Sequence, residues 1–163
     1  PQRCWAHKIK NVLNALPKSV HAKAKEDMRS IWMAPNLKAA QQALNHFAQC
    51  YQDKYPKAAE KLTKDKDQLL AFYDFPAEHW QHIRTTNPIE STFATVRHRT
   101  TRTRNCVSRN TFLGLAYKLI EEAQKSWRII RGADKIELLL KGVPFKDGEP
   151  ISKLATEQQK HAA

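Results

Sequence analysis

A chain of 163 residues with 41% hydrophobic and 27% charged residues is long enough for one globular domain, or one domain and a tail. Lys and Arg number 28 against 16 Asp and Glu, a net charge of +12 that points to a polyanionic partner, either nucleic acid or an anionic membrane face. No apolar run approaches the roughly 20 residues of a membrane span, and three scattered cysteines (Cys4, Cys50, Cys106) argue against a disulfide framework and for a reducing cytosol.

In chain order, Gln2 to Ala6 reads as the end of a strand. Lys8 to Leu16 reads as a short helix carrying Ile9, Val12, Leu13 and Leu16, stopped by Pro17. Ser19 is placed to cap a second helix with Val20, Ala24, Met28, Ile31 and Trp32 on one face, and Pro35 breaks it. Asn36 caps a third, in which Leu37, Ala40, Leu44, Phe47, Tyr51 and Tyr55 recur at helical spacing. Pro56 ends that helix and starts a fourth, with Ala59, Leu62, Leu69, Phe72 and Tyr73 inward and a charged face through Lys61, Lys64, Asp65, Lys66 and Asp67. Residues 8–73 are therefore expected to form an antiparallel helical array with short turns.

Asp74 to Thr86 is a connector rich in aromatics and histidine. Pro88 should open a fifth helix capped by Asn87, with Ile89, Phe93 and Val96 as its apolar stripe. Ser108 or Asn110 opens a sixth, from Phe112 through Leu119 and Trp127 to Ile130, ending at Gly132. A short helix through Ile136, Leu139 and Leu140 stops at Gly142. From Pro144 the chain turns polar, and Ile151 to Ala163 reads as a frayed tail.

One interval stands out. Between Glu78 and Glu121 the only carboxylate is Glu90, whereas Arg84, Arg97, Arg99, Arg102, Arg104, Arg109 and Lys118 all fall there. With Asn87 as cap, Glu90 could reach back to the cap N–H and complete a capping box beside the positive end of the helix dipole. Alternatively, a carboxylate at a helix start rimmed by arginines suits Mg²⁺ next to phosphate, since that ion is held by one or two carboxylates together with phosphate oxygens and water. The two roles are compatible, and the residues alone leave both open. The basic run after Glu90 alternates arginine with Thr95, Thr100, Thr101 and Thr103, which are donors suited to phosphate oxygens, although a basic run can also be only a solvated face. Its lack of bulky apolar residues argues against a membrane surface.

Elsewhere the signals are thin. Cys4 and His7 are metal-ligand types, but two ligands do not make a site. His79 and His82 flank Trp80, where packing against the ring is the simpler role. No glycine-rich phosphate loop and no nucleophile elbow is present.

Three segments taken together, Gln2-Arg3-Cys4-Trp5 with His7, Lys8 and Asn11, then Arg84-Thr85-Thr86-Asn87-Pro88-Ile89-Glu90-Ser91, then Trp127-Arg128, resemble the Mutator-type transposases of bacterial insertion sequences, over most of the chain to about Gly148. The resemblance implies a DDE transposase with an RNase H-like core interrupted by a helical insertion before the last catalytic acid. On that reading the chain is mainly α. Residues 1–7 would be the last strand segment of the core, 8–75 the helical insertion, 76–131 the catalytic-core helix and the basic and packing helices after it, and 132–163 a short helix and polar tail.

Glu90 then matches the third catalytic acid and a ligand of Mg²⁺ in a two-metal site. Arg84, Asn87, Arg97, Arg99, Arg102, Arg104 and Arg109 would position it or contact DNA, and Cys4 and His7 match a family signature. The implied partners are DNA at the element ends and target, the N-terminal part of the enzyme, and further copies of the chain as a homo-oligomer, with no membrane. The implied location is the bacterial cytoplasm at the nucleoid.

The family's two catalytic aspartates lie upstream of the Gln-Arg-Cys segment, and this sequence starts at Pro1. Asp27, Asp53, Asp65, Asp67 and Asp74 all fall in the expected insertion or connector and do not replace them. Two-metal phosphoryl transfer needs several carboxylates, so the chain alone is expected not to cut or join DNA. Two rival readings are a non-catalytic remnant that binds DNA or inhibits the full-length transposase, and a plain helical scaffold.

Overall fold

The computed structural model describes residues 1–102 and 108–151, with only the backbone of Pro88. Among them are nine α-helices and one two-stranded antiparallel sheet of two-residue strands, a mainly α fold. The described chain divides into two compact units. The first comprises the chain up to Thr85 and again from Arg131; the second is Thr86–Ile130.

In the first unit, α1 (Trp5–Leu13), α2 (His21–Trp32), α3 (Leu37–Gln52), α4 (Pro56–Thr63) and α5 (Lys66–Leu70) surround one apolar core. Trp5, Val12, Met28, Ile31, Phe47, Leu62, Leu69 and Phe72 are essentially inaccessible to solvent. The helical period of α3 buries Ala40, Leu44, Phe47 and Tyr51 as expected, and the Asn36 side chain accepts the Ala39 N–H at 2.8 Å. Two buried ring groups of the core are satisfied: Trp5 Nε1 donates to Leu69 O at 2.9 Å, and the Tyr73 hydroxyl donates to Ala34 O at 2.8 Å. Burial pushes the Tyr73 pKa up to about 12.

Three local expectations change. The strand end expected at residues 2–6 is not a strand: Cys4 is extended, Arg3 N–H donates to Gln68 O at 2.9 Å, and α1 begins at Trp5. A strand needs a neighbouring strand to pair with, and here Gln68 and Arg84 carbonyls take the N–H groups of Arg3 and Trp5 instead. Ser19 caps nothing, because Lys18–Val20 is a turn of 3₁₀ helix leading into α2. The fourth helix is not continuous either. It breaks after Thr63 at Lys64-Asp65, where Asp65 turns to meet the buried ammonium of Lys8 at 2.5 Å; Lys8 also donates to Lys61 O at 2.8 Å. A buried ammonium must be paired, and that requirement outweighs the helical periodicity of the charged face.

The connector closes this unit. After a 3₁₀ turn at Ala71–Asp74, the 3₁₀ turn Ala77–His79 leads into α6 (Trp80–Ile83). The Trp80 ring stands edge-on to Phe72 and Tyr73, at 5.4 and 4.8 Å. The chain re-enters beside it at Arg131: His82 Nε2 accepts the Arg131 N–H at 3.2 Å, His79 Nε2 bonds Gly132 O at 2.8 Å, and Lys135 pairs with Glu78 at 2.5 Å. His79 and His82 therefore hold returning backbone as well as flanking an indole. Gly132 (φ 69°) opens a 3₁₀ turn before α9 (Ile136–Leu140) and does not end the preceding long helix. A Cβ there would lie 2.9 Å from that of Glu78.

The sequence after Pro144 is not simply polar chain. β1 (Phe145–Lys146) pairs with β2 (Glu149–Pro150) through Asp147 and Gly148, both at positive φ as a tight type I′ hairpin requires. Phe145 is buried, and Asp147 Oδ1 accepts the Leu37 N–H at the start of α3 at 2.6 Å. The tail expected beyond Ile151 lies outside the described residues.

Candidate catalytic helix and nucleic-acid interface

The second unit is a pair of helices, α7 (Asn87–Thr101) and α8 (Arg109–Gln124). The Ser108 hydroxyl caps α8 by accepting the Thr111 N–H at 3.2 Å. The expected continuation through Trp127 to Ile130 is absent, since α8 ends at Gln124. The residue before α7 is Thr86, so Asn87 is its first helical residue and not its cap. Thr86 has no extended backbone and its side chain caps no N–H. Its carbonyl accepts the Glu90 N–H at 2.9 Å, and its hydroxyl donates to Glu90 Oε1 at 2.5 Å. The Glu90 carboxylate is thus oriented one turn into the helix by a hydroxyl, a partner that the sequence reading passed over although Thr86 and Glu90 stand four apart, on one helical face.

Seven residues further on, nearly two full turns, Arg97 returns to the face of Glu90, about 10.5 Å away along the axis. Glu90, Phe93, Ala94 and Arg97 line one shallow groove on α7. Arg99 projects from the opposite face and Arg102 follows the helix end, so the arginine run winds around α7 and does not converge on the carboxylate. Arg97, Arg99, Arg102 and Arg109 are exposed, and none is ion-paired among the described residues. Arg104, Thr103 and Cys106 lie outside the described residues. The threonines behave differently from the expectation. Thr95, Thr100 and Thr101 hydroxyls donate to the carbonyls of Ser91, Val96 and Arg97 at 3.3, 3.0 and 2.7 Å, so their protons serve the helix backbone.

In the first unit, Arg84 is partly buried. Its Nε donates to Trp80 O at 3.2 Å, Nη1 donates to Trp32 O, and the guanidinium stands 5.4 Å from the Phe72 ring centre. Burial lowers its pKa from the ordinary arginine value. Arg84 therefore ties α2 to α6. The Cys4–His7 signature adjoins it, because the Trp5 N–H donates to Arg84 O at 2.8 Å. Among the described residues no group of three or more His, Cys, Asp or Glu side chains gathers as a metal site, and no helix is long and apolar enough to cross a membrane.

The second unit is also short of partners for its apolar residues. Val96 is its one buried hydrophobic side chain among the described residues, whereas Ile89, Phe93, Phe112, Leu113, Tyr117, Trp127 and Ile129 are exposed.

α7 thus carries one hydroxyl-held carboxylate with a single arginine, Arg97, on the same face. The family described as "Transposase, Mutator family" matches residues 1–129. Similar proteins include the transposase for insertion sequence element IST2 of Acidithiobacillus ferrooxidans, 58% identical over 162 residues, which are 99% of this chain and 55% of that protein. The transposase for IS6120 of Mycolicibacterium smegmatis is 48% identical over 152 residues, 93% of this chain and 47% of that protein. The transposase for IS905 of Lactococcus lactis is 39% identical over 90 residues, 55% of this chain and 23% of that protein. This chain belongs to the Mutator family of insertion-sequence transposases. It spans about half the length of the first two of these curated relatives.

Proposed function

We propose that this chain supplies the last catalytic acid and a DNA-contacting surface of a metal-dependent transposase, which cleaves the phosphodiester at the ends of an insertion element and joins the freed 3′-hydroxyl to target DNA. The observation that carries this reading is the exposed face of α7, where Glu90 is held by Thr86 and shares a groove with Arg97. The donor chemistry suits Mg²⁺, a hard ion that takes carboxylate, water and phosphate oxygen. Glu90 fits as one ligand of such a site and not as the whole of it. When bound, the metal would activate the attacking oxygen and stabilise the leaving one. Arg97, Arg99, Arg102 and Arg109 contact backbone phosphates, Arg84 acts through the α2–α6 packing that it bridges, and Asn87 sets the start of the catalytic helix.

The remaining carboxylates come from the N-terminal part of the enzyme, in an RNase H-like core. The apolar residues exposed on α7 and α8 support this, since a helix pair with one buried hydrophobic side chain leaves a face for other protein to cover. By itself the 163-residue chain is inactive on this proposal.

The test is a strand-transfer assay on terminal inverted repeats with Mg²⁺. The chain alone yields no product, and addition of the upstream half of the enzyme in trans restores product in the wild type but not in Glu90→Gln, which still binds DNA. Product from the chain alone, or full turnover by Glu90→Gln, overturns the proposal. Failure of complementation together with retained DNA binding makes the chain a non-catalytic DNA-binding remnant.

A further inference from the structure

The arginines of the second unit account for only part of the net charge. Residues 1–25 contain no Asp or Glu at all but hold Arg3, Lys8, Lys10, Lys18, Lys23 and Lys25. Two of these cations share one partner, since Lys8 and Arg3 lie 2.5 and 3.7 Å from Asp65. Most of the other cations of the helical array are lysines at the surface, with Arg29 the exception, and on α4 they are ordered beside the exposed Glu60. Lys57, Lys61 and Lys64 stand at i, i+4 and i+7, on one face, opposite the buried Ala58, Ala59 and Leu62. All three are exposed, and none is ion-paired among the described residues.

α1 packs beside α4, and Lys61 Nζ reaches across to Asn11 O at 3.3 Å. The stripe is therefore continuous with the exposed, acid-free side of α1, which carries Asn11, Asn14 and Lys10. The axial rise from Lys57 to Lys64 is about 10 Å, comparable with a few successive phosphates along one strand. Lysine ammonium groups are point charges suited to phosphate without base readout, and amide side chains add donors.

We infer that the α1–α4 face of the helical array is a second, sequence-independent binding surface for the phosphate backbone of duplex DNA. It is built from Lys57, Lys61 and Lys64 with Asn11, and it is separate from the arginines of α7 and α8. This rests on the reading above only in taking DNA as the partner.

The experiment measures binding of the 163-residue chain to a random-sequence DNA duplex by fluorescence anisotropy across a salt series. Three variants are compared with the wild type: K57Q/K61Q/K64Q, K57R/K61R/K64R, and R97Q/R99Q/R102Q/R109Q. Circular dichroism first establishes that each retains its helices. Each phosphate contact contributes about 0.9 to the log–log salt slope, so the glutamine variant of α4 should flatten the slope by roughly 2.7 and the arginine variant of α4 should keep it. A wild-type slope in K57Q/K61Q/K64Q overturns the inference. If that happens while the α7–α8 variant loses slope, the proposed function stands without the second surface. The reverse pattern sinks the assignment of Arg97 to Arg109 and leaves the α4 surface standing.

Discussion

The Thr86 hydroxyl donates to Glu90 Oε1 at 2.5 Å across the first turn of α7, so a side chain four residues away orients the carboxylate. If Glu90 is a metal ligand, Thr86 is its outer partner, and loss of such partners costs about 10- to 100-fold in affinity or activity. Thr86→Val in the complemented enzyme should reduce strand transfer by that order and weaken the Mg²⁺ dependence. The melting temperature of the chain should barely move, because Thr86 caps no backbone N–H of the helix. A variant that melts earlier and turns over normally would show that the bond serves only the helix start.

The pair formed by Lys8 and Asp65 is the electrostatic knot of the helical array. Lys8 is 8% exposed, and removal of the Asp65 charge would leave a buried ammonium facing only neutral acceptors, Lys61 O among them. Asp65→Asn should therefore cost about 1–3 kcal/mol, with part of it recovered in Lys8→Met/Asp65→Asn. The hydrogen bond from Lys8 holds the Asp65 carboxyl below its usual pKa, and that from Lys135 does the same for Glu78. For a depressed carboxyl the stabilisation is complete above the unfolded value, about 4, and drains away as pH falls through the folded value. Thermal melts between about pH 5 and pH 2.5 should show a steeper acid loss for the wild type than for Asp65→Asn. Parallel loss in both would remove Asp65 from the account.

What the sequence made legible was local, and what it hid was long-range. Asn36 and Ser108 cap helices from three residues away, and the period of α3 names its own buried face. The break at Lys64-Asp65 answers to Lys8, fifty-seven residues distant, and no local pattern contains it. The same holds for the chain returning at Arg131 to His82. At the site, Glu90 and Arg97 were legible as types at a spacing. The hydroxyl that orients Glu90 was hidden because Thr86 and Asn87 are both good cap residues, and only backbone geometry chooses between them. The basic run also concealed that Thr95, Thr100 and Thr101 donate to the backbone of their own helix.

The hairpin at Phe145–Pro150 lies where the sequence reads only as polar chain, and its purpose emerges only from what it touches. Asp147 (φ 51°) accepts the Leu37 N–H at 2.6 Å, so a residue more than a hundred positions away serves the first turn of α3 alongside Asn36. Asp147→Ala should cost about 1 kcal/mol for the lost acceptor and more for placing alanine in the left-handed region. Asp147→Asn should recover most of this, since asparagine tolerates that conformation and keeps an acceptor oxygen. Gly148→Ala is the harsher change: its Cβ would fall 2.7 Å from that of Ala77 and 3.1 Å from the Ala77 backbone nitrogen, at φ 91°. Thermal melts of the three variants should rank Asn mildest and Gly148→Ala most severe. Equal melting of Asp147→Ala and wild type would mean that the hairpin merely rests on α3 and does not cap it.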